Sequence, residues 1–277
     1  MRILFTLITL GAAGYGAWWL FNTQPEVKNK VEEVFNAGSF HTLELRYTAD
    51  QIMQANRREL LKDNRHRFLD PSIKFLPYLL LDVKYTHSKN KTKEGVILWD
   101  LIDGEMVIDT KRWEKTHGFG DCILANAEEQ EFKIINILAS RSGRADREEL
   151  IKALHIDNTL LNAWIESCCR KKLIVQVGNH YRLHLQHPKL HTTPATKLDE
   201  RLVTKPHRNA HRLNRRFSLS QIEKIASAAF GSDFAVRKST DIFLPVHCIV
   251  VQNPDGSTHI SHWNALNGRR LSSHFID

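Results

Sequence analysis

The side chains that could do chemistry are scattered along this chain. Two histidine pairs have HxxxH spacing, His187 with His191 and His207 with His211. On a helix that interval puts both rings on one face, ready for a metal ion. Both pairs fall in a proline-containing stretch with no acidic ligand at a matching interval, so no metal site is expected. His259 and His262 lie in a strand-like run and point to opposite faces. Carboxylates pair at Asp100 with Asp103 and at Glu128 with Glu129, but these positions are a turn and a helix start, where acids are ordinary. The cysteines, Cys122, Cys168, Cys169 and Cys248, form no CxxC, which excludes a zinc ribbon or a disulfide scaffold and fits a reducing compartment. No phosphate loop, dinucleotide fingerprint, HExxH or nucleophile elbow occurs. The expectation is a non-enzyme with no cofactor and no small-molecule substrate.

The elements that would position any site are easier to read. The net charge of +8 and pI of about 9.3 favour an anionic partner, nucleic acid or a lipid surface, and 15 histidines would add charge on acidification. The run from Ile3 to Phe21 carries no charge and at about 1.5 Å per residue spans roughly 28 Å, close to a bilayer core. Trp18, Trp19 and Phe21 end it, where a cleaved leader would have small residues. Residues 1–24 are therefore expected to be a retained single-pass anchor, and 25–41 a juxtamembrane helix started by Pro25 and stopped by Gly38. The positive-inside rule does not decide the orientation.

Two further stretches resemble each other. "YTADQI", "FLPYLLLDVKY" and "WDLIDG" (47–104) recur in the same order as "FSLSQI", "FLPVHCIVVQ" and "WNALNG" (217–268). Each reads as a capped helix followed by a three-stranded antiparallel meander, with Trp99 and Trp263 closing the second strand and Asp-Gly or Asn-Gly turning. Pro77 implies that its strand begins there or lies at an edge. The predicted α+β units are 42–122 and 217–277, duplicates of one another. The second, through "PDGSTHISHWNALNGRRL", also resembles the PepSY family, with Asn264 where that family usually has Asp.

Between them the pattern changes. "AEEQEFKIINILASRSG", "DREELIKALH" and "DNTLLNAWIESCCRKK" have helical spacing, and "LIVQVGNHYRLHL" reads as a hairpin with Gly178-Asn179 at its tip. Three helices followed by a hairpin over 127–186 resemble a winged-helix domain. That resemblance implies a third helix that lies in a DNA groove and a wing on the backbone. The outward residues would be Asn158, Thr159, Asn162, Glu166, Ser167 and Arg170, followed by Lys171 and Lys172, with Arg182 on the wing. Leu160, Leu161, Trp164 and Ile165 would face the core. Residues 187–216 have no apolar periodicity and read as a basic linker, whose Arg208, Arg212, Arg215 and Arg216 could meet phosphate.

Two functions follow. The first is a membrane-anchored, non-enzymatic adaptor, its soluble part on the cytoplasmic side, that binds other proteins through the winged helix and the two α+β units. The alternative is a membrane-tethered nucleic-acid-binding regulator using the winged helix and the linker. Glu166, on the face that would meet phosphate, and the lack of cations before Arg170 favour the first.

Overall fold

The computed structural model describes residues 39–87, 91–185, 187–206 and 210–271. The expected anchor and nearly all of the expected juxtamembrane helix lie outside them; Ser39–Leu43, where that helix would end, is a strand, β1. No helix among the described residues is long and apolar enough to cross a membrane. The chain divides into a large unit, 41–203 with 211–277, and a small one, 1–40 with 204–210. Of the small unit the structure describes little beyond strand ends, and the large one concerns the site.

The fold is α+β. Its main sheet is built on two long strands, β3 (Ser72–His87) and β12 (Ala235–Gln252), which pair antiparallel, with a short β2 (Arg67–Phe68) against the end of β12. Leu76 stands opposite Leu244, flanked by Phe75 opposite Pro245 and Pro77 opposite Phe243. The same three letters, Phe-Leu-Pro, thus cross each other about a local two-fold axis. Outside this pair the neighbours also match. β4 (Lys91–Asp100) sets Trp99 against Leu79, and β13 (Thr258–Asn264) sets Trp263 against His247. β5 (Met106–Asp109) then follows β4, as β14 (Arg270–Leu271) follows β13.

Both prolines therefore sit inside central strands, not at a beginning or an edge. The reason is local. The Pro77 carbonyl accepts from Leu101 N, and the Pro245 carbonyl from Ala265 N. In a strand a residue's N–H and C=O point the same way. Each missing N–H thus faces the point where the neighbouring strand has already turned away, and no ladder bond is lost.

The two turns share their hydrogen bonds. Asp100 N donates to Glu105 O, Asn264 N to Arg269 O, Gly104 N to Asp100 O and Gly268 N to Asn264 O. Each turn also anchors the lead-in to the other half's helix. Arg46 and Tyr47 donate their N–H to Ala265 O, while Arg216 and Phe217 donate theirs to Leu101 O. Capping boxes follow at once, Thr48 with Gln51 opening α1 (Ala49–Ala55) and Ser218 with Gln221 opening the later helix, Leu219–Phe230. As a result the helices are exchanged. Ile52 of α1 and Leu60 of α2 (Arg57–Leu60) pack with Ile249, Val251 and Trp263 of the second meander. Ile222, Ile225 and Ala226 of the later helix join Leu79, Leu81 and Trp99 of the first.

Four more helices lie between the meanders. A short β6 (Glu114–Lys115) returns along β5, then come α3 (Phe119–Leu124) and α4 (Glu129–Ser140). β7 (Arg144–Asp146), α5 (Arg147–Leu154), α6 (Asn158–Arg170), β8 (Ile174–Val177) and β9 (His180–Leu183) complete this part. β9 pairs with β7 on one side and β8 on the other. Phe132, Ile135, Leu161 and Leu183 belong to the same buried cluster as Trp99, so this module has no separate core.

Parts of the stretch expected as a basic linker join the sheet. Beyond Leu98–Val107, β4 and β5 splay apart, and Thr196 fills the gap. Thr196 N donates to Val96 O, its hydroxyl to Val107 O, and Leu98 N to that hydroxyl. Further on, β10 (Leu202–Pro206) lies beside β1, and β11 (His211–Arg212) pairs parallel with β3. Backbone pairing holds this segment together with a few widely spaced apolar side chains, Leu190, Leu198 and Leu213, which is why periodicity missed it. The helix that closes the first meander is α7 (Leu219–Phe230).

Gly104 and Gly268 occupy matching turns at φ +80 and +68, yet their surroundings differ. A Cβ at Gly104 would lie 2.8 Å from the Phe217 ring and 2.9 Å from Gly120 Cα, whereas at Gly268 the nearest atom, on the Tyr47 ring, is 3.4 Å away. Gly268→Ala should cost about 1–2 kcal/mol for the left-handed backbone alone. Gly104→Ala should cost clearly more, with the difference read from urea midpoints.

Candidate functional site

The face that could meet a partner is built by α6 and the β8–β9 hairpin. α6 starts where Asp157 caps it, its carboxylate accepting from Leu160 N at 2.8 Å. Leu161, Ile165 and Cys168 then point inward. Asn158, Thr159, Asn162, Glu166 and Arg170 are exposed, as are Lys172 and Arg182. Leu160 differs from the sequence expectation, whereas Trp164 packs against the core as expected. Leu160 is 41% exposed. Trp164 is half-buried with Lys133 Nζ over its ring at 5.7 Å.

Much of this face is already engaged. Arg147, the first residue of α5, donates to Asn158 Oδ1 at 3.1 Å and to Asn162 Oδ1 at 2.5 Å. Both asparagines offer base-edge acceptors to a side chain of their own chain. Lys171 is turned inward. Its ammonium donates to Glu131 Oε1 at 3.1 Å and to Asn126 O at 3.0 Å. Ser167 also turns to Glu131, at 2.6 Å. The Glu131 side chain is fully buried. Burial works to raise its pKa, but Ser167, the Glu128 N–H and Lys171 outweigh that and hold it below the usual range. Lys171 is thus the counter-ion of a buried carboxylate and not a free phosphate contact.

The arginines after residue 206 are spread along the sheet. Arg212 stacks on Phe243 at 5.7 Å, Arg215 lies 3.7 Å from Asp241, and Arg216 stacks on Phe217 at 5.2 Å. Arg208 and His207 lie outside the described residues. Arg212, Arg215 and Arg216 are thus each set against a side chain of the chain itself.

The paired carboxylates of the first turn do form a cluster. Lys115 Nζ lies 2.6 Å from both Asp100 Oδ2 and Asp103 Oδ2, and 5.6 Å from the centre of the Tyr78 ring. One lysine cannot neutralise two carboxylates. Burial first, and Asp100 second, push Asp103 up to about 7, against the pull of Lys115. Glu105 accepts from Gly118 N, Gly120 N and the Thr116 hydroxyl, which fixes the start of α3. Each group is committed to a neighbour within the fold, so the cluster reads as a brace for the turn.

Thiol chemistry is not favoured. Burial raises Cys122 well above the thiol range and pushes Cys168 up to about 12, and it also raises the exposed Cys169. Among the described residues no three His, Cys, Asp or Glu side chains come together to hold a metal. An open recess of about 610 Å³ beside β7 is lined by Arg141, Arg144, Ala145, Asp146, Glu149 and His180, with no nucleophile among them.

Arg147, Glu131 and Lys115 were not singled out by the sequence. Arg147 carries a faint signal, standing directly after the Asp146 cap, but its partners are residues of the next helix. If Lys171 serves Glu131, Lys171→Ala should cost about 3 kcal/mol by leaving the buried carboxylate without its cation. Glu131→Gln with Lys171→Ala should recover part of that loss, measured as a double-mutant cycle in denaturant. Comparison of the chain with protein-family models, with curated proteins and with solved structures finds no match.

Proposed function

We propose that this protein is a membrane-anchored, non-enzymatic adaptor whose central module, 127–186, is a winged helix used to dock another protein. On this reading residues 3–21 are the anchor, the body lies on the cytoplasmic side, and the two meanders are copies of one ancestral unit. The matched register about Leu76 and Leu244, with matching turns and capping boxes, favours the duplication. The order helix, strand, helix, helix, hairpin in 129–183 favours the winged helix.

The observation that carries the docking role is the state of α6. Asn158 and Asn162 are engaged by Arg147, Lys171 serves Glu131, and Glu166 is exposed. The large apolar side chains exposed on this face are Leu160, at 41%, and Val177 of the wing, at 52%. Recognition of DNA draws most of its affinity from phosphate contacts, and here Arg170, Lys172 and Arg182 are left to supply them. An apolar residue at the head of the helix suits a protein surface better.

The test titrates full-length protein, in detergent, with duplex DNA at low ionic strength. The expected result is no binding that weakens with salt. Binding whose logarithmic salt slope falls by about 0.9 for each of Arg170, Lys172 and Arg182 replaced by Ala would favour the regulator instead.

A further inference from the structure

The second turn contains an arrangement that the first explains. In the first turn each aspartate uses one oxygen on the backbone. Asp100 Oδ1 accepts from Ile102 N at 2.7 Å, and Asp103 Oδ1 accepts from Glu105 N at 2.9 Å. The other oxygen of each is aimed at a single point, where Lys115 Nζ sits 2.6 Å from both. In the second turn asparagines stand at the matching places and make the matching bonds. Asn264 Oδ1 accepts from Leu266 N at 2.9 Å, and Asn267 Oδ1 accepts from Arg269 N at 3.0 Å. Those bonds fix which end of each amide is the nitrogen. The two Nδ2 groups must then point where the aspartate oxygens point, towards one shared place.

Among the described residues nothing accepts from them there. Asn264 is fully buried, and Nδ2 of both asparagines is enclosed without a hydrogen-bond partner. A buried donor left unpaired costs about 1–3 kcal/mol, and native structures seldom leave two at one spot. Arg269 and Arg270 follow on the chain; Arg270 Nη1 lies 3.7 Å from Glu59, and Arg269 Nη1 reaches the Arg112 carbonyl at 3.4 Å. The Trp113 indole N–H, on the next residue, is another buried donor with no acceptor.

We infer that the second turn binds a small inorganic anion of about chloride size between Asn264 and Asn267, at the place that matches the Lys115 ammonium of the first turn. Its polarity is reversed. Two acceptors around a cation in one turn become two donors around an anion in the other. A water molecule suits the place less well. It would accept from both amides but then need acceptors for its own hydrogens, and each Asn Oδ1 is turned away from that place, towards a backbone N–H. An anion needs acceptors from nothing.

The test measures thermal unfolding of the full-length protein in sodium chloride, sodium bromide and sodium gluconate at equal ionic strength. The unfolding temperature should be about 2–4 °C higher in either halide. Asn267→Asp keeps the oxygen that receives Arg269 N but replaces the donor by a carboxylate, and it should abolish the halide effect. Asn264→Asp, which restores the residue type of the first turn, should do the same. Asp103→Asn in the first turn should leave the effect intact. Crystals grown in bromide should show an anomalous peak between the two amides. Equal unfolding temperatures in halide and gluconate, a halide effect that survives in both asparagine variants, or an ordered water without anomalous signal would each overturn the assignment.

Discussion

The antiparallel pairing of β3 with β12 is the constraint on which the rest depends. It joins segments from opposite ends of the chain, with Leu76 facing Leu244 at the crossing. Side chains alternate across a strand, so a slip of one residue would turn every buried side chain to the other face. The central Leu76, Tyr78, Leu244 and Val246 all lie in one buried cluster, which leaves little freedom in register. Once that register is set, each turn meets the lead-in to the opposite helix, and the exchange of α1 and α7 follows. Neither half closes a core alone, because each lends its helix to the other.

This arrangement explains how a module of mixed helices and strands can be inserted between the halves. The chain leaves the first meander at β6, builds residues 119–183, and returns through 187–216 to β11 beside β3. The return is held by backbone bonds and by the Thr196 hydroxyl. α7 packs against the first meander and also against α4, where Asn136 Nδ2 donates to Ala229 O at 3.1 Å. The inserted module is therefore positioned by the same helix that completes the first meander. A partner docked on α6 would pull against the whole sheet and not against a loose appendage.

Local chemistry was legible in the sequence, and long-range partnership was not. Thr48 and Ser218 announced their helices, Asp146 and Asp157 theirs, and the Asp-Gly and Asn-Gly turns fell where expected, because caps and turns depend on a few adjacent residues. The exchange of helices left no local trace. The prolines misled because their effect depends on which side of the strand is paired, a fact about the neighbour. The linker misled because it is held by backbone pairing and by leucines, Leu190, Leu198 and Leu213, too far apart to make a pattern. On the candidate face the exposed positions of α6 followed from helical spacing, but Arg147 and Glu131, which engage Asn158, Asn162 and Lys171, sit on other elements. Leu160 was placed in the core because the stripe was drawn too wide.

With their helices exchanged, the two meanders should unfold as one cooperative body. Native-state hydrogen exchange measures this directly, since it reports the free energy at which each amide opens. The slowest amides of β3 around Leu79–Leu81 and of β12 around Ile242–Leu244 should share one opening free energy, equal to that of global unfolding, and respond alike to denaturant. Two separate values, with one meander opening while the other stays protected, would contradict the account.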